Sequence, residues 1–307
     1  MRIKRNLQGI SLISLLVGVS IGAFLLVVML QIFSTTRANY RLSENLAEMN
    51  NVLRYASLVM TDVISQAGYR TPDATTGVLP AYSTAFPTFT GTISGPGGTY
   101  NSGDTNADDP AGLVISYFPG QGVIHSAGGV DPYDKLWLKF HGDPSGRIRA
   151  CGDLYGVENV PIRVKFYSQQ LTIDSVDYTA YYCENQNDAT NYTYLIDTPI
   201  GTELIPAALF DQAWVRYGVS YANNNPSYID GWNLGPDVQD RTRVFAVRIA
   251  FLVHTRDDVR SEDVTQTFSV FNEVVTRTSK KIYKLYIFTV MLPNAPGYKL
   301  ASTVTTP

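Results

Sequence analysis

The sequence predicts an α+β protein in which one long amino-terminal helix packs on an antiparallel, β-rich domain. Three observations predict this class: an uncharged apolar stretch, a heptad stripe that continues it, and later segments in which apolar and polar residues alternate. Hydrophobic residues make up 45% of the 307 residues and charged residues 17%, which excludes a wholly disordered chain. The 20 Tyr and 13 Phe favour strands in the later part of the chain.

The first element is an apolar stretch at residues 10–36, which contains no ionisable side chain. Its core, Ile10–Phe33, would form about 36 Å of helix, enough to cross the hydrocarbon core of a bilayer. Arg2, Lys4 and Arg5 precede it, and this cluster favours a cytoplasmic amino end and an exported carboxyl end. A cleaved signal peptide has a shorter apolar core. We therefore predict that residues 10–36 are the transmembrane half of the helix.

The second element is an amphipathic half of the same helix, over residues 37–68. No proline occurs before Pro72 and no glycine lies between Gly22 and Gly68, so this stretch contains no helix breaker. Gly68 is the predicted helix end. This stripe favours packing on the protein's own sheet, and pairing with a second coiled-coil chain is the alternative. Its apolar residues recur in alternating steps of four and three: Leu42, Leu46, Met49, Leu53, Ala56, Met60, Val63 and Ala67.

The third element is an exported head domain, residues 69–307. Its first part, Thr71–Pro110, is rich in Thr, Gly, Ser and Pro and predicts long surface loops with short strands at most. After it, β-rich segments are separated by turn clusters, with no internal repeat and no alternation of strands and helices. The predicted strands are Leu113–Phe118, Leu136–Phe140, Pro161–Tyr167, Tyr178–Cys183, Tyr192–Ile196, Ala213–Tyr221, Val244–Val253 and Ile282–Leu292.

The junction between residues 9 and 10 is the most informative motif. Residues 1–9, MRIKRNLQG, form a short basic leader that ends in Gly9, and Ile10 begins the hydrophobic stretch. A leader of this kind, one long helix and a β-rich head together resemble a type IV pilin. The resemblance implies that a prepilin peptidase cuts between Gly9 and Ile10, on the cytoplasmic side of the membrane, and that Ile10 is then methylated.

Ser14 departs from the pattern of that family. Most members have Glu as the fifth residue after the cut, where it is thought to pair with the amino group of a neighbouring subunit. A carboxylate in a bilayer demands a partner, whereas a serine hydroxyl can bond to the carbonyl of Ile10. Because subunits without the Glu occur among minor pilins and pseudopilins, we hypothesise a low-copy component that acts at the tip or in initiation. Ser14, Gly18 and Gly22 also form a small-residue face for close helix packing, although glycine is common in membrane helices.

The order of landmarks in the head resembles the PilW type of minor pilin. The resemblance implies a structural subunit that takes part in priming and assembling type IV pili, near the tip, with adhesion as a further role. Pseudopilin J of type II secretion shares the plan and is one alternative. A single-pass envelope protein with a ligand-binding head is another, and it would retain residues 1–9. The landmarks are Tyr40–Arg70, Asp108–Asp109, Arg149–Gly152, Ala213–Val219, Val247–Val253 and Tyr286–Asn294.

The same resemblance implies where the protein acts and what it contacts. The precursor would lie in the inner membrane with its head in the periplasm, and the assembled protein would lie in the pilus at the cell surface. The implied partners are other minor pilins, the major pilin, the inner-membrane assembly platform and the prepilin peptidase. The net charge of −3 gives no indication of nucleic-acid binding.

Cys151 and Cys183, the only cysteines, are 32 residues apart in the part predicted to be exported. An oxidising compartment favours a disulfide between them, and two separately buried thiols are the alternative. A bridge that closes a loop of this length would stabilise the fold by about 3–4 kcal/mol if the effect is entropic.

The sequence contains no pattern typical of an enzyme. HExxH, GxSxG and P-loop motifs are absent, and the three His are isolated from one another and from the cysteines. Asp104, Asn106 and Asp108 alternate like the first half of a calcium loop, but Asp109 and Ile115 occupy the positions that require Gly and Glu. A solvated turn is therefore the preferred interpretation. We predict a structural protein with no cofactor and no catalytic residues.

Overall fold

The computed structural model describes the long helix, most of the strands and the turns between the last of them. Nothing is stated about the structure of the other residues. The chain divides into two compact units, Met1–Ala47 and Glu48–Pro307. The described residues are 12–73, 75–79, 92–95, 98–101, 113–116, 135–143, 148, 150–151, 161–173, 176–185, 192–196, 199–200, 203–204, 208–221, 229–233, 243–256 and 258–295.

Helix α1 is continuous over Leu12–Ser65 and crosses the boundary between the two units. It contains the predicted heptad stripe, and within the second unit every stripe position on the helix is buried. The predicted first helical residue, Ile10, lies outside the described residues. The buried helix residues are Met49, Leu53, Ala56, Met60, Val63 and Ile64.

The second unit contains fifteen described strands, and every pair among them is antiparallel. A five-stranded sheet has the order β3-β4-β5-β6-β7, and a four-stranded sheet has the order β11-β10-β12-β15; the pairs β1-β2, β8-β9 and β13-β14 complete the set. The strands are β1 (Thr92–Gly95), β2 (Gly98–Asn101), β3 (Leu113–Ser116), β4 (Lys135–His141), β5 (Pro161–Ile173), β6 (Val176–Asn185), β7 (Tyr192–Ile196), β8 (Pro199–Ile200), β9 (Glu203–Leu204), β10 (Ala208–Val219), β11 (Gly231–Asn233), β12 (Val244–Thr255), β13 (Val264–Val270), β14 (Glu273–Ser279) and β15 (Tyr283–Met291).

Strand β12 is the centre of the four-stranded sheet and is buried along almost its whole length, because both faces of that sheet are covered. On one face, Phe251 packs on Tyr181 of β6, with ring centroids 5.0 Å apart, which joins the two large sheets in one core. On the other face, the β13–β14 hairpin packs on Ala250 and Leu252. This explains why the sequence of β12 is a nearly continuous apolar run rather than an alternating one. The hairpin-side cluster consists of Trp214, Ala250, Leu252, Val270, Phe268, Phe271, Val275, Tyr283 and Leu285.

The carboxyl-terminal part of α1 is fixed to β15 and the turn after it by polar contacts as well as by its buried stripe. The hydroxyl of Tyr286 donates to Ser57 Oγ at 3.3 Å, and Asn294 Nδ2 donates to the carbonyl of Ser65 at 3.3 Å. Lys284 also contacts Asn50. The stripe therefore packs on the protein's own sheet, as the first of the two sequence interpretations predicted.

Gly68 ends the helix in the left-handed backbone conformation, with φ of 77°. Its amide donates to the carbonyl of Lys139 at 2.8 Å, and the amide of His141 donates to Tyr69 at 2.9 Å, so the chain leaving the helix runs beside β4. A Cβ added at Gly68 would lie only 2.9 Å from the carbonyl oxygen of Asn294. Glycine is required here both by the backbone angle and by the close approach of a second backbone segment.

The predicted α+β class, with one long apolar helix and antiparallel sheets, is confirmed. The sequence analysis missed one described element of some length, the hairpin formed by β13 and β14. Its strands contain mostly Thr, Ser, Val and charged residues, so the apolar content that identified the other strands is absent. The predicted strand that begins at Pro161 ended at Tyr167, whereas β5 continues to Ile173 through the polar residues Ser168, Gln169 and Gln170.

Candidate functional site

The described part of the apolar stretch, residues 12–36, has the exposure of a membrane-spanning segment. The helix is long and apolar enough to cross a membrane, and no residue of its most apolar window is buried. Exposed Leu, Ile, Val and Phe side chains over such a length are unfavourable in water and favourable in lipid. Hydroxyl groups within and just beyond the stretch are satisfied by the helix itself: Ser20 donates to the carbonyl of Leu16 at 2.9 Å, and Thr36 to that of Ile32 at 2.8 Å.

Ser14, Gly18 and Gly22 lie on this exposed part of α1, four residues apart and therefore along one side of the helix. A Cβ added at Gly18 or Gly22 would meet no atom within 4 Å. Packing within the described part of the chain therefore requires neither glycine. The predicted processing residues Gly9 and Ile10 lie outside the described residues.

A disulfide joins Cys151 to Cys183 on β6, with the two Cα atoms 5.5 Å apart. Both residues are buried, so the bridge lies in the interior of the head. It contains both cysteines of the chain, and neither thiol is therefore available as a nucleophile or a metal ligand.

The five-stranded sheet contains buried charged residues that sequence reasoning did not single out. Lys165 on β5 and Glu184 on β6 are directly opposite in the strand register, and both are fully buried. Burial lowers the pKa of Lys165 to about 8, and the charge of Glu184 partly opposes this shift. Among the residues that the structure describes, neither carboxylate oxygen of Glu184 has a hydrogen-bond partner. The signal in the sequence was a Lys and a Glu whose immediate neighbours in the strands are mostly apolar or aromatic.

The described part of the chain contains no cluster of metal-binding side chains. There, no group of three or more His, Cys, Asp or Glu side chains could hold a metal ion. His254 is largely buried, which lowers its pKa; its Nδ1 lies 2.9 Å from the carbonyl of Thr255, and its ring lies beside Tyr283. The weak calcium candidates Asp104, Asn106 and Asp108 lie outside the described residues.

The hairpin of β13 and β14 is anchored on the four-stranded sheet by two charged groups. Glu273 accepts hydrogen bonds from Arg216 Nη2 at 2.7 Å and from Trp214 Nε1 at 3.1 Å. Arg277 donates to Asp211 Oδ2 from Nη2 at 2.7 Å and from Nε at 3.0 Å. Charge-assisted hydrogen bonds of this kind are stronger than neutral ones, and they supplement the apolar contacts of the hairpin. Sequence reasoning missed these residues, and the repeated Thr-x-Thr pattern was the available signal.

The long apolar helix and the antiparallel sheets are the arrangement that the resemblance to a type IV pilin implies. Residues 212–294 match the family model described as type IV pilus-assembly protein W. The match covers most of β10 and all of β11, β12, the hairpin and β15, and it confirms the predicted resemblance to PilW-type minor pilins in this part of the chain. The family and the apolar helix both fit membrane anchoring.

Among the solved structures similar to this chain is one of low sequence identity. It is a type IV-like pilin from Thermus thermophilus, 13% identical, covering 81% of this chain and 98% of that one with a TM-score of 0.40. A similarity at this level carries no argument about function. No curated protein sequence matches this chain.

Proposed function

We propose that this chain is a minor pilin that takes part in priming and assembling type IV pili, near the filament tip. The proposal is carried by one continuous helix whose first part is apolar and exposed and whose last part is buried against the head, in which residues 212–294 match pilus-assembly protein W. In this proposal, residues 1–9 are the leader, 10–36 the transmembrane half, 37–68 the amphipathic half and 69–307 the exported head.

Processing at the leader precedes assembly. A prepilin peptidase cuts between Gly9 and Ile10, and Ile10 becomes the methylated amino terminus. The precursor lies in the inner membrane with its head in the periplasm, and after assembly the protein lies in the pilus at the cell surface. The basic leader and the uncharged stretch that follows it support this orientation.

Leaving the bilayer requires that the exposed apolar surface of α1 be buried by other subunits, because water is a poor environment for it. The proposed partners are other minor pilins, the major pilin and the inner-membrane assembly platform. Gly18 and Gly22, with open space where a Cβ would stand, would let a neighbouring helix approach closely.

Ser14 suits a subunit that begins a filament. A glutamate at this position would need a cationic partner from a neighbour, since an unpaired carboxylate in the bilayer is unfavourable. A serine imposes no such requirement, so the subunit remains stable in the membrane before any neighbour has joined it. The head, which would be displayed at the tip, is then also available for adhesion.

Deleting the gene for this chain tests the proposal. We expect few surface pili, with the major pilin retained in the membrane, and recovery when the full chain is supplied. Normal piliation would contradict priming, and loss of secreted proteins with normal piliation would favour a pseudopilin instead.

Ser14→Glu tests the role of Ser14, with Ser14→Ala as the matched control. The glutamate variant should alter the number of surface pili, because its carboxylate demands a partner in the bilayer. The alanine variant should assemble like the unmodified chain. Equal piliation with both variants would remove the support for an initiating role of Ser14.

A further inference from the structure

Four charged residues of α1 form a stripe on its exposed side, just beyond the apolar stretch. Steps of four, three and four residues separate them, which keeps all four on one face of the helix. Each of them is exposed, and none belongs to the buried heptad stripe. We call this surface the charge stripe, and its residues are Arg37, Arg41, Glu44 and Glu48.

The charges of the stripe are segregated by sign. The two arginines are four residues apart, and so are the two glutamates, and like charges at this spacing repel one another in a helix. Arg41 and Glu44 have opposite charges at a spacing that permits a pair. Yet in the part of the chain that the structure describes, no side chain of the stripe makes an ion pair or a hydrogen bond. All four side chains are therefore available to a group outside the chain.

The charge stripe is complementary to itself after a shift along the helix axis. Each arginine precedes a glutamate by seven residues, from 37 to 44 and from 41 to 48. Seven residues make about two turns, so the two members of such a pair lie nearly on one line along the helix, about 10.5 Å apart. A parallel second copy displaced by this distance would place its Arg37 beside Glu44 and its Arg41 beside Glu48.

Membrane insertion decides between the possible orientations of a second copy. An antiparallel copy would also bring arginines to glutamates, but two copies with the same leader enter the membrane in the same direction, so their helices are parallel. Parallel helices in register would place like charges side by side, whereas a shift of about two turns places opposite charges together. Lipid phosphates would attract the arginines but repel the glutamates. The common direction rests on the membrane topology of the proposed function.

We propose that the charge stripe contacts the same stripe of a second copy of this chain, in parallel and shifted by about two helical turns. Exposed ion pairs contribute little affinity, but complementary charges select one register over the others. The stripe therefore sets the axial shift between two neighbouring subunits, while close packing of the membrane half supplies the affinity. The arrangement needs only two copies, which is compatible with a low-copy subunit.

Disulfide cross-linking in membranes tests the shift. Two differently tagged full-length copies are produced together, one with Arg37→Cys and the other with Glu44→Cys, and are oxidised before extraction. Arg41 and Glu48 remain in both copies to set the register. We expect the cross-linked heterodimer to be at least about fivefold more abundant than the dimers that form when both copies carry Arg37→Cys or both carry Glu44→Cys.

A charge exchange tests whether the remaining pair sets this register. Arg41→Glu in the copy that carries Arg37→Cys should lower the yield of heterodimer about fivefold, because two glutamates then lie side by side. Adding Glu48→Arg to the other copy should restore most of the yield. Arg54→Glu in place of Arg41→Glu is the matched control. Because Arg54 is exposed on α1 but lies outside the charge stripe, this variant should leave the yield unchanged.

Several outcomes would overturn the proposal: no heterodimer, in-register dimers as abundant as the shifted one, no recovery with the exchanged charges, or an equal loss with Arg54→Glu. Cys151 and Cys183 are buried and joined to each other, so they do not compete with the introduced cysteines. Absence of the cross-link in cells that need this chain for piliation would refute the shift alone. Normal piliation without the chain would refute the proposed function and leave the cross-linking result unaffected.

Discussion

Replacing Gly68 with alanine should destabilise the head more than an ordinary glycine substitution. Gly68 has a φ of 77°, a region that disfavours a residue with a Cβ by about 1–2 kcal/mol. The new Cβ would also lie 2.9 Å from the carbonyl oxygen of Asn294, so the backbone there would have to move. Overpacking of this kind costs about 1–3 kcal/mol. We therefore expect Gly68→Ala to lower the free energy of unfolding by about 2–5 kcal/mol.

Gly77 provides a matched control, because it also follows the end of the helix in the sequence. It also has a positive φ, of 67°, but a Cβ added there would meet no atom within 4 Å. Gly77→Ala should therefore incur only the conformational cost of about 1–2 kcal/mol. The difference between the two variants isolates the close approach of the Asn294 backbone.

Thermal unfolding of the full chain in detergent measures both variants. A domain of this size loses about 3 °C in Tm for each kcal/mol, so Gly68→Ala should lower the Tm by roughly 6–15 °C and Gly77→Ala by roughly 3–6 °C. Equal unfolding temperatures of Gly68→Ala and Gly77→Ala would contradict the close approach of the Asn294 carbonyl to Gly68.

Three further substitutions test the interior and the hairpin. Burial lowers the pKa of Lys165 from 10.5 to about 8, so the folded state binds fewer protons than the unfolded chain between these pH values. The free energy of unfolding of the unmodified chain should therefore rise by about 2 kcal/mol, relative to that of Lys165→Met, between about pH 7.5 and about pH 9.5. Urea unfolding at both pH values measures this difference. An unchanged difference would mean that the amine is solvated. Replacing Cys151 and Cys183 together by Ser should cost about 2–5 kcal/mol, and a reductant should lower the Tm of the unmodified chain but not that of the variant. Arg277→Met should cost about 1.5–3 kcal/mol and speed amide exchange in residues 264–279, whereas uniform exchange throughout the head would argue against a hairpin held by Asp211.

The helix and the central strands could be predicted from the sequence because their patterns are local. A heptad stripe without helix breakers specifies α1, and Gly68 followed by Pro72 marks its end. The apolar run of β12 specifies a strand buried on both faces, but not what covers each face. One cover is β6 of the five-stranded sheet, which lies far from β12 along the chain, and the other is the hairpin, which follows β12. No local pattern contains either pairing.

Apolar content alone could not predict the hairpin, because its attachment to the four-stranded sheet also uses the charged residues Glu273 and Arg277. Arg277 and Glu273 would normally indicate solvent, yet they contact Asp211 and Arg216 on β10 across the sheet. The identity of such partners is a consequence of tertiary structure. The alternation of Thr265, Thr267 and Ser269 was visible in the sequence, and a period of two with β-branched residues was sufficient to predict a strand.

The buried charges of the five-stranded sheet show the same limit. Lys165 follows Arg163 in an alternating strand, where a sequence pattern predicts a solvent-facing side chain. The structure buries Lys165 completely, because both faces of β5 are covered at this point. Alternation indicates which residues share a face of a strand, but it does not indicate that the polar face is exposed.

The mass of the amino-terminal peptide, measured on protein extracted from native membranes, tests most directly the claim that this chain is a processed pilin subunit. The account predicts a peptide that begins at Ile10 and carries one added methyl group. A peptide that still contains residues 1–9, from cells with an active prepilin peptidase, would contradict the account and favour a plain membrane anchor.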